Sequence, residues 1–156
     1  MSVSLHELKK LPRSERYETL LLLVESQLKT EKDRTATLAN LSAMMMGLVN
    51  RLNWAGFYLF NGEELVLGPF QGEPACHRIL PGEGVCGKAF IEKTSILVDD
   101  VLTFPGHIAC DSASRSELVC PILVETEAIG VIDWDSPEEA RFTREEIDLI
   151  EGKDGD

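Results

Sequence analysis

At 156 residues the chain is the size of one domain, and its 44% apolar and 27% charged residues match a water-soluble globular protein. A formal net charge of −12 argues against the basic footprint that nucleic acid requires and against an anionic membrane surface. No run of about 18 apolar residues exists to span a bilayer, and the Leu20–Val24 run sits between Glu18 and Glu25, unlike a signal core.

Read in order, Ser4-Leu5-His6-Glu7 matches a capping box that opens a short helical turn, stopped by Pro12. Tyr17, Leu20, Leu21, Val24 and Leu28 then recur at helical spacing, as do Leu38, Leu41, Met45, Leu48 and Leu52. These predict two amphipathic helices, with Met44-Met45-Met46 as core filler. After Asn53 the pattern changes. Trp54–Phe60 and Leu65–Phe70 flank Asn61-Gly62, a hairpin turn pair, and alternation puts Trp54, Gly56 and Tyr58 on one side.

The stretch from Gln71 to Gly87 is turn-rich, with a short strand expected around His77–Leu80 and a short helix over Gly87–Lys93. Ser95–Val101 reads as a strand. Leu118–Val124 and Ala128–Asp133 form a second hairpin around Glu125-Thr126-Glu127. Thr143-Arg144-Glu145-Glu146 opens a last helix, followed by a tail expected to fray over 151–156. Helices followed by hairpin-linked strands predict one α+β domain over residues 1–156, its first 30 residues helical and its sheet mainly antiparallel.

The chemistry concentrates between two apolar runs, in the loop Phe104–Glu117, which holds His107, Cys110, Asp111 and Glu117. A cytoplasmic location is expected, where thiols stay reduced. The four cysteines there are buried thiols, metal ligands or redox groups rather than a disulfide framework. No pair is spaced two to four residues apart, which argues against a structural zinc site. Cys120, in an apolar run, reads as a small buried hydrophobe. Cys76, Cys86 and Cys110 fall in expected loops, where a thiol meets solvent and a nucleophile can be answered by a resolving thiol. Asp133 and Asp135 end an expected strand on one face, about 7 Å apart at Cα. Like charges that close raise one pKa, so the pair suits an ammonium, a metal or a retained proton.

Five motifs occur in order: Asn53-Trp54-Ala55-Gly56-Phe57-Tyr58, Leu67-Gly68-Pro69-Phe70-Gln71-Gly72, Gly82-Glu83-Gly84-Val85-Cys86-Gly87, Gly106 through Ser114, and Asp133-Trp134-Asp135-Ser136-Pro137. Together they resemble the free methionine-(R)-sulfoxide reductases, which are single-domain GAF proteins, from about Leu38 to Thr143. The resemblance implies a GAF fold with helices packed on a central sheet and an enclosed pocket. It implies a cofactor-free, thiol-dependent reductase of free methionine-(R)-sulfoxide, homodimeric and recycled by thioredoxin; no metal, nucleic-acid or membrane partner is expected.

By position, the resemblance makes Cys110 the attacking thiol and Cys76 and Cys86 the thiols that resolve the sulfenic acid as a disulfide. Glu117, Asp133 and Asp135 are the acids around the substrate's ammonium and sulfoxide, and Trp54 and Tyr58 the wall around its methyl group. The chain departs from the pattern at Arg115, Cys120 and Trp134, and in a shortened C-terminal helix.

Overall fold

The computed structural model describes residues 4–106 and 113–152. Five helices are described: α1 (Leu5–Leu8), α2 (Arg13–Thr30), α3 (Arg34–Leu48), α4 (Gly84–Glu92) and α5 (Arg144–Glu151). Six strands are β1 (Trp54–Phe60), β2 (Leu65–Gly72), β3 (Arg78–Ile79), β4 (Ile96–Val98), β5 (Ser116–Val124) and β6 (Glu127–Ser136). They form one sheet in the order β3-β2-β1-β6-β5-β4, and every neighbouring pair is antiparallel. The α+β architecture with a mainly antiparallel sheet expected from the sequence is the one observed.

Local chemistry explains several boundaries. Ser4 accepts a hydrogen bond from the Glu7 amide and starts α1, Asp33 does the same for α3 through Ala36, and Thr143 with Glu146 closes a reciprocal capping box on α5. The β1–β2 hairpin turns at Asn61, whose Oδ1 accepts from the amides of Glu63 and Glu64.

Alternation along the central strands divides the interior in two. Ala55, Phe57, Leu118, Cys120 and Trp134 face α2, α3 and α5, where Tyr17, Leu20, Leu41, Met45, Leu48 and Ile147 complete one core. Trp54, Tyr58, Val119 and Val131 face the other side, with Val85, Cys86, Ala89 and Phe90 of α4. Trp134 is thus core on the helical side, its indole N–H donating to the Met45 sulfur at 3.0 Å. Met44 and Met46 pack at the edge of that core, as core filler should.

Three expectations are corrected. Helix α4 begins at Gly84 rather than Gly87, so Cys86 lies on a helix and is buried, not in a solvent-facing loop. Glycine-rich composition signals a turn, but the Gly82 amide donates to the Gly87 carbonyl at 2.9 Å and the chain winds straight into the helix. Strand β6 runs on to Ser136, so Asp133 and Asp135 stand inside a strand, not at a solvated end. The strand expected over Ser95–Val101 shortens to Ile96–Val98, because Asp100 caps a 3-10 turn over Val101–Thr103 by accepting from the Leu102 amide.

Candidate active site

The sheet register assembles the acids. Glu117 on β5 pairs with Asp135 on β6, and Val119 pairs with Asp133. On the other edge of β6, Asp135 pairs with Trp54 and Asp133 with Gly56 of β1. Period two then puts Glu117, Asp133 and Asp135 on the sheet face that also carries Trp54 and Tyr58. Helix α4 crosses this face and supplies Cys86, whose Sγ lies 3.9 Å from Glu117 Oε2. All six side chains are buried, from 1% exposure at Trp54 to 8% at Glu117.

The aromatic wall is wider than expected. Trp54 stacks on Phe70 with centroids 5.1 Å apart and lies near-parallel to Tyr58 at 6.0 Å. Two glycines make room for it. A Cβ at Gly56 would meet Phe70 Cβ at 2.3 Å, and one at Gly72 would meet Trp54 Cδ1 at 2.6 Å. Phe70 belongs to this wall; its place in the Leu67–Gly72 motif, between two glycines, was the available signal. Asn53 Nδ2 donates to Ser114 Oγ at 3.1 Å and ties the start of β1 to the loop before β5. Asn53 opens the first of the five motifs and Ser114 closes the fourth, though nothing in the sequence marked them as a pair.

Burial dominates the electrostatics. It pushes the Glu117 carboxyl well above the ordinary carboxylate range, and the neighbouring Asp133 charge pushes it further. Asp133 is raised by burial and then by the Asp135 charge. The Cys86 thiol is raised by burial and by the charges of Asp133 and Glu117, so it is a neutral thiol at rest. The Tyr58 phenol is raised by burial and by the same acids. Among the described residues, neither Glu117 nor Asp133 has an ion-pair partner, and Asp133 Oδ1 has no hydrogen-bond partner. The site therefore offers acids whose protonated form burial favours, and an Asp133 oxygen open to a donor.

Ligand atoms of Cys86, Glu117 and Asp133 all lie within 4.8 Å of one another, so the same groups have the spacing of a metal-ligand set. Cys76 is in a disulfide, and Cys86 and Cys120 are free thiols. Cys120 is buried on the opposite sheet face, and burial pushes its thiol up to about 12. The attacking position expected at Cys110, together with His107 and Asp111, lies outside the described residues. Arg115 turns away from the acids, its guanidinium pairing with Asp100 at 3.5 Å and with Glu139.

The structure thus brings together Trp54, Tyr58, Cys86, Glu117, Asp133 and Asp135. Cys76 approaches the wall from the segment after β2, and Tyr58 Oη donates to its carbonyl at 3.0 Å.

Comparison with known proteins agrees with this geometry. The GAF domain family matches residues 30–152. The free methionine-R-sulfoxide reductase of Escherichia coli K12 is 52% identical over 111 residues, covering 71% of this chain and 67% of that protein. The reduced form of the Staphylococcus aureus free methionine-R-sulfoxide reductase superposes with a TM-score of 0.83 at 43% identity, covering 87% of this chain and 88% of its own. The Neisseria meningitidis enzyme, solved in complex with its substrate, gives a TM-score of 0.80 at 43% identity, covering 86% and 80%. The chain belongs to the GAF domain family and, within it, to the free methionine-R-sulfoxide reductases.

Proposed function

We propose that this protein reduces free methionine-(R)-sulfoxide to methionine by thiol chemistry. The observation that carries the reading is the enclosed face where three buried acids and a thiol meet an aromatic wall, in a chain 52% identical to a free methionine-R-sulfoxide reductase.

A sulfoxide becomes electrophilic when its oxygen is protonated, and a carboxyl held neutral by burial supplies that proton. The Cys110 thiolate attacks the sulfur, methionine leaves as the sulfide, and the sulfoxide oxygen stays on Cys110 as a sulfenic acid. Glu117 or Asp133, both raised in pKa, is the donor; the ionised member of the acid set, with Asp135, holds the substrate ammonium. Trp54 and Tyr58 enclose the methyl group. A thiol from Cys76 or Cys86 then attacks the sulfenic sulfur, water leaves, and an external dithiol such as thioredoxin reduces the disulfide. The Cys76 disulfide supports a resolving role for that residue. The reading places the protein in a reducing cytoplasm, as a homodimer without a metal or organic cofactor.

The test is methionine formation from separated epimers with dithiothreitol as reductant. Turnover of the R epimer and none of the S epimer is expected. Folded protein that binds the R epimer without releasing methionine is a ligand-binding GAF module, and the reading fails. Cys110→Ser is expected to release no methionine. Cys76→Ser and Cys86→Ser are expected to release about one equivalent and recycle poorly.

A further inference from the structure

The two rings of the pocket wall each carry one polar hydrogen, and both are donated to the same piece of chain. The Tyr58 hydroxyl donates to the Cys76 carbonyl at 3.0 Å, and the Trp54 indole N–H donates to the Glu73 carbonyl at 3.1 Å. Residues 73–77 lie between the end of β2 and the start of β3 and belong to no strand. At their far end the Leu67 amide donates to the His77 carbonyl at 2.9 Å. Besides the Cys76 disulfide, this strap is therefore fastened by a strand amide at one end and by two pocket aromatics along its length, and these bonds are what remain to hold it once the thiol is reduced. It leaves the sheet at Gly72, whose φ of +135° only glycine adopts readily, directly over the Trp54 ring.

A segment outside the strand ladder takes its position from such side-chain bonds. A reaction between two thiol groups of one chain goes at a rate set by how often they reach attack geometry. The geometry points to Tyr58 as a positioning residue for Cys76: its hydroxyl holds the strap, so the residue that borders the substrate also sets the rate at which the sulfenic acid closes to a disulfide. The inference rests on the reductase reading above. In the step concerned, the Cys76 sulfur forms a bond to the Cys110 sulfenic sulfur and the S–O bond breaks. The thiol proton leaves with the hydroxyl as water; the sulfenic sulfur is reduced, the thiol is oxidised, and no outside oxidant or reductant enters.

Tyr58→Phe keeps the ring and removes the donor. Reduced protein is mixed rapidly with one equivalent of methionine-(R)-sulfoxide, and the sulfenic acid is trapped at intervals with dimedone and weighed by mass spectrometry. The readout is the decay rate of that acid, whatever the rate at which it forms. Loss of one hydrogen bond of ordinary strength should slow the decay roughly tenfold.

The same substitution is made in a Cys76→Ser background, where decay no longer depends on the strap. There Tyr58→Phe should add nothing, a coupling that a general loosening of the sheet would not give. Decay at the wild-type rate in Tyr58→Phe overturns the inference, as does equal slowing in both backgrounds or wild-type decay in Cys76→Ser alone. Absence of both methionine and sulfenic acid in the wild type overturns the reductase reading with it. Should Tyr58→Phe not fold, Trp54→Phe, which removes the bond to Glu73, carries the same comparison.

Discussion

Two buried polar clusters lie on opposite faces of this sheet, one of three acids and one built on a single acid, and they behave in opposite ways. On the α4 side, Glu117 and Asp133 are buried beside Asp135 and the Cys86 thiol, and burial drives their pKa values up. On the helical side, Glu146 of α5 is 1% exposed, yet its pKa falls. Burial pushes Glu146 up as well, but hydrogen bonds from Tyr17, Arg141 and the Thr143 amide outweigh it. The Arg141 Nη1 donates to Glu146 Oε2 at 2.8 Å, and the Tyr17 hydroxyl donates to the same oxygen at 2.6 Å. Arg141 in turn spans to the Asn50 carbonyl through Nε and Nη2, at 3.0 and 2.8 Å.

The difference shows that burial alone does not decide whether a carboxyl is charged; built-in donors do, here the Tyr17 hydroxyl first and then the Arg141 guanidinium and the Thr143 amide. Where Arg141 is supplied, the acid is structural and joins α2, α5 and the end of α3. Where no cation is supplied by the described residues, burial favours the protonated acid, and a cation from outside would favour the ionised one. That is the property a site needs if it is to donate to a sulfoxide and receive an ammonium.

The largest expected effect breaks the charged cluster. Glu146→Gln leaves Arg141 buried without its counter-charge and should cost about 3–5 kcal/mol in urea unfolding. The matching change in the pocket acts on activity instead. Glu117→Gln and Asp133→Asn should each lower kcat/KM on the order of 100-fold with the circular dichroism spectrum unchanged. Loss of the donor would appear in kcat and loss of the ammonium contact in KM. Wild-type kcat/KM in both variants would make these acids bystanders.

The two clusters should also give opposite pH signatures. Glu146 has a lowered folded pKa, so its stabilisation is present above its unfolded value of about 4.3 and is lost as pH falls through the folded value. Glu117 has a raised folded pKa, so its contribution is intact below about 4.3 and is lost as pH rises toward the folded value. The stability gap between wild type and Glu146→Gln should therefore close in acid. Glu117→Gln should gain on wild type as pH rises above the ordinary carboxylate range. Parallel profiles for the two variants would contradict the distinction.

Smaller effects sharpen it. Burial, then the Glu146 hydrogen bond, pushes the Tyr17 phenol up to about 12, so it remains a donor throughout the working range. Tyr17→Phe removes one charge-assisted bond and should cost about 2 kcal/mol. Cys120→Ser, on the helical face, should cost about 1 kcal/mol for an added buried hydroxyl and leave methionine formation unchanged. A loss of turnover in that variant would bring a fourth thiol into the chemistry.

The two clusters differed in how far the sequence revealed them. Alternation was enough to put Trp54 with Tyr58 and Asp133 with Asp135. The register that sets Glu117 opposite Asp135 depends on two strands meeting, which no local pattern states. Cys86 was misplaced because Gly82, Gly84 and Gly87 read as a turn, whereas contacts with β3, β5 and β6 hold them in a helix start. On the helical side Thr143 and Glu146 were legible as a capping box, a local motif. Tyr17 reaches Glu146 across 129 positions, so its half of the network could not be read from spacing. The residues missed are those whose partners come from elsewhere in the chain.

The most direct measurement is the protonation state of the pocket acids in the reduced, substrate-free protein. Infrared spectroscopy at neutral pH should show the carbonyl stretch of a protonated, buried carboxyl. The band should vanish in Glu117→Gln or in Asp133→Asn and persist in Glu146→Gln, whose acid is already ionised. A spectrum at neutral pH without that band, or a band removed only by Glu146→Gln, would contradict the account.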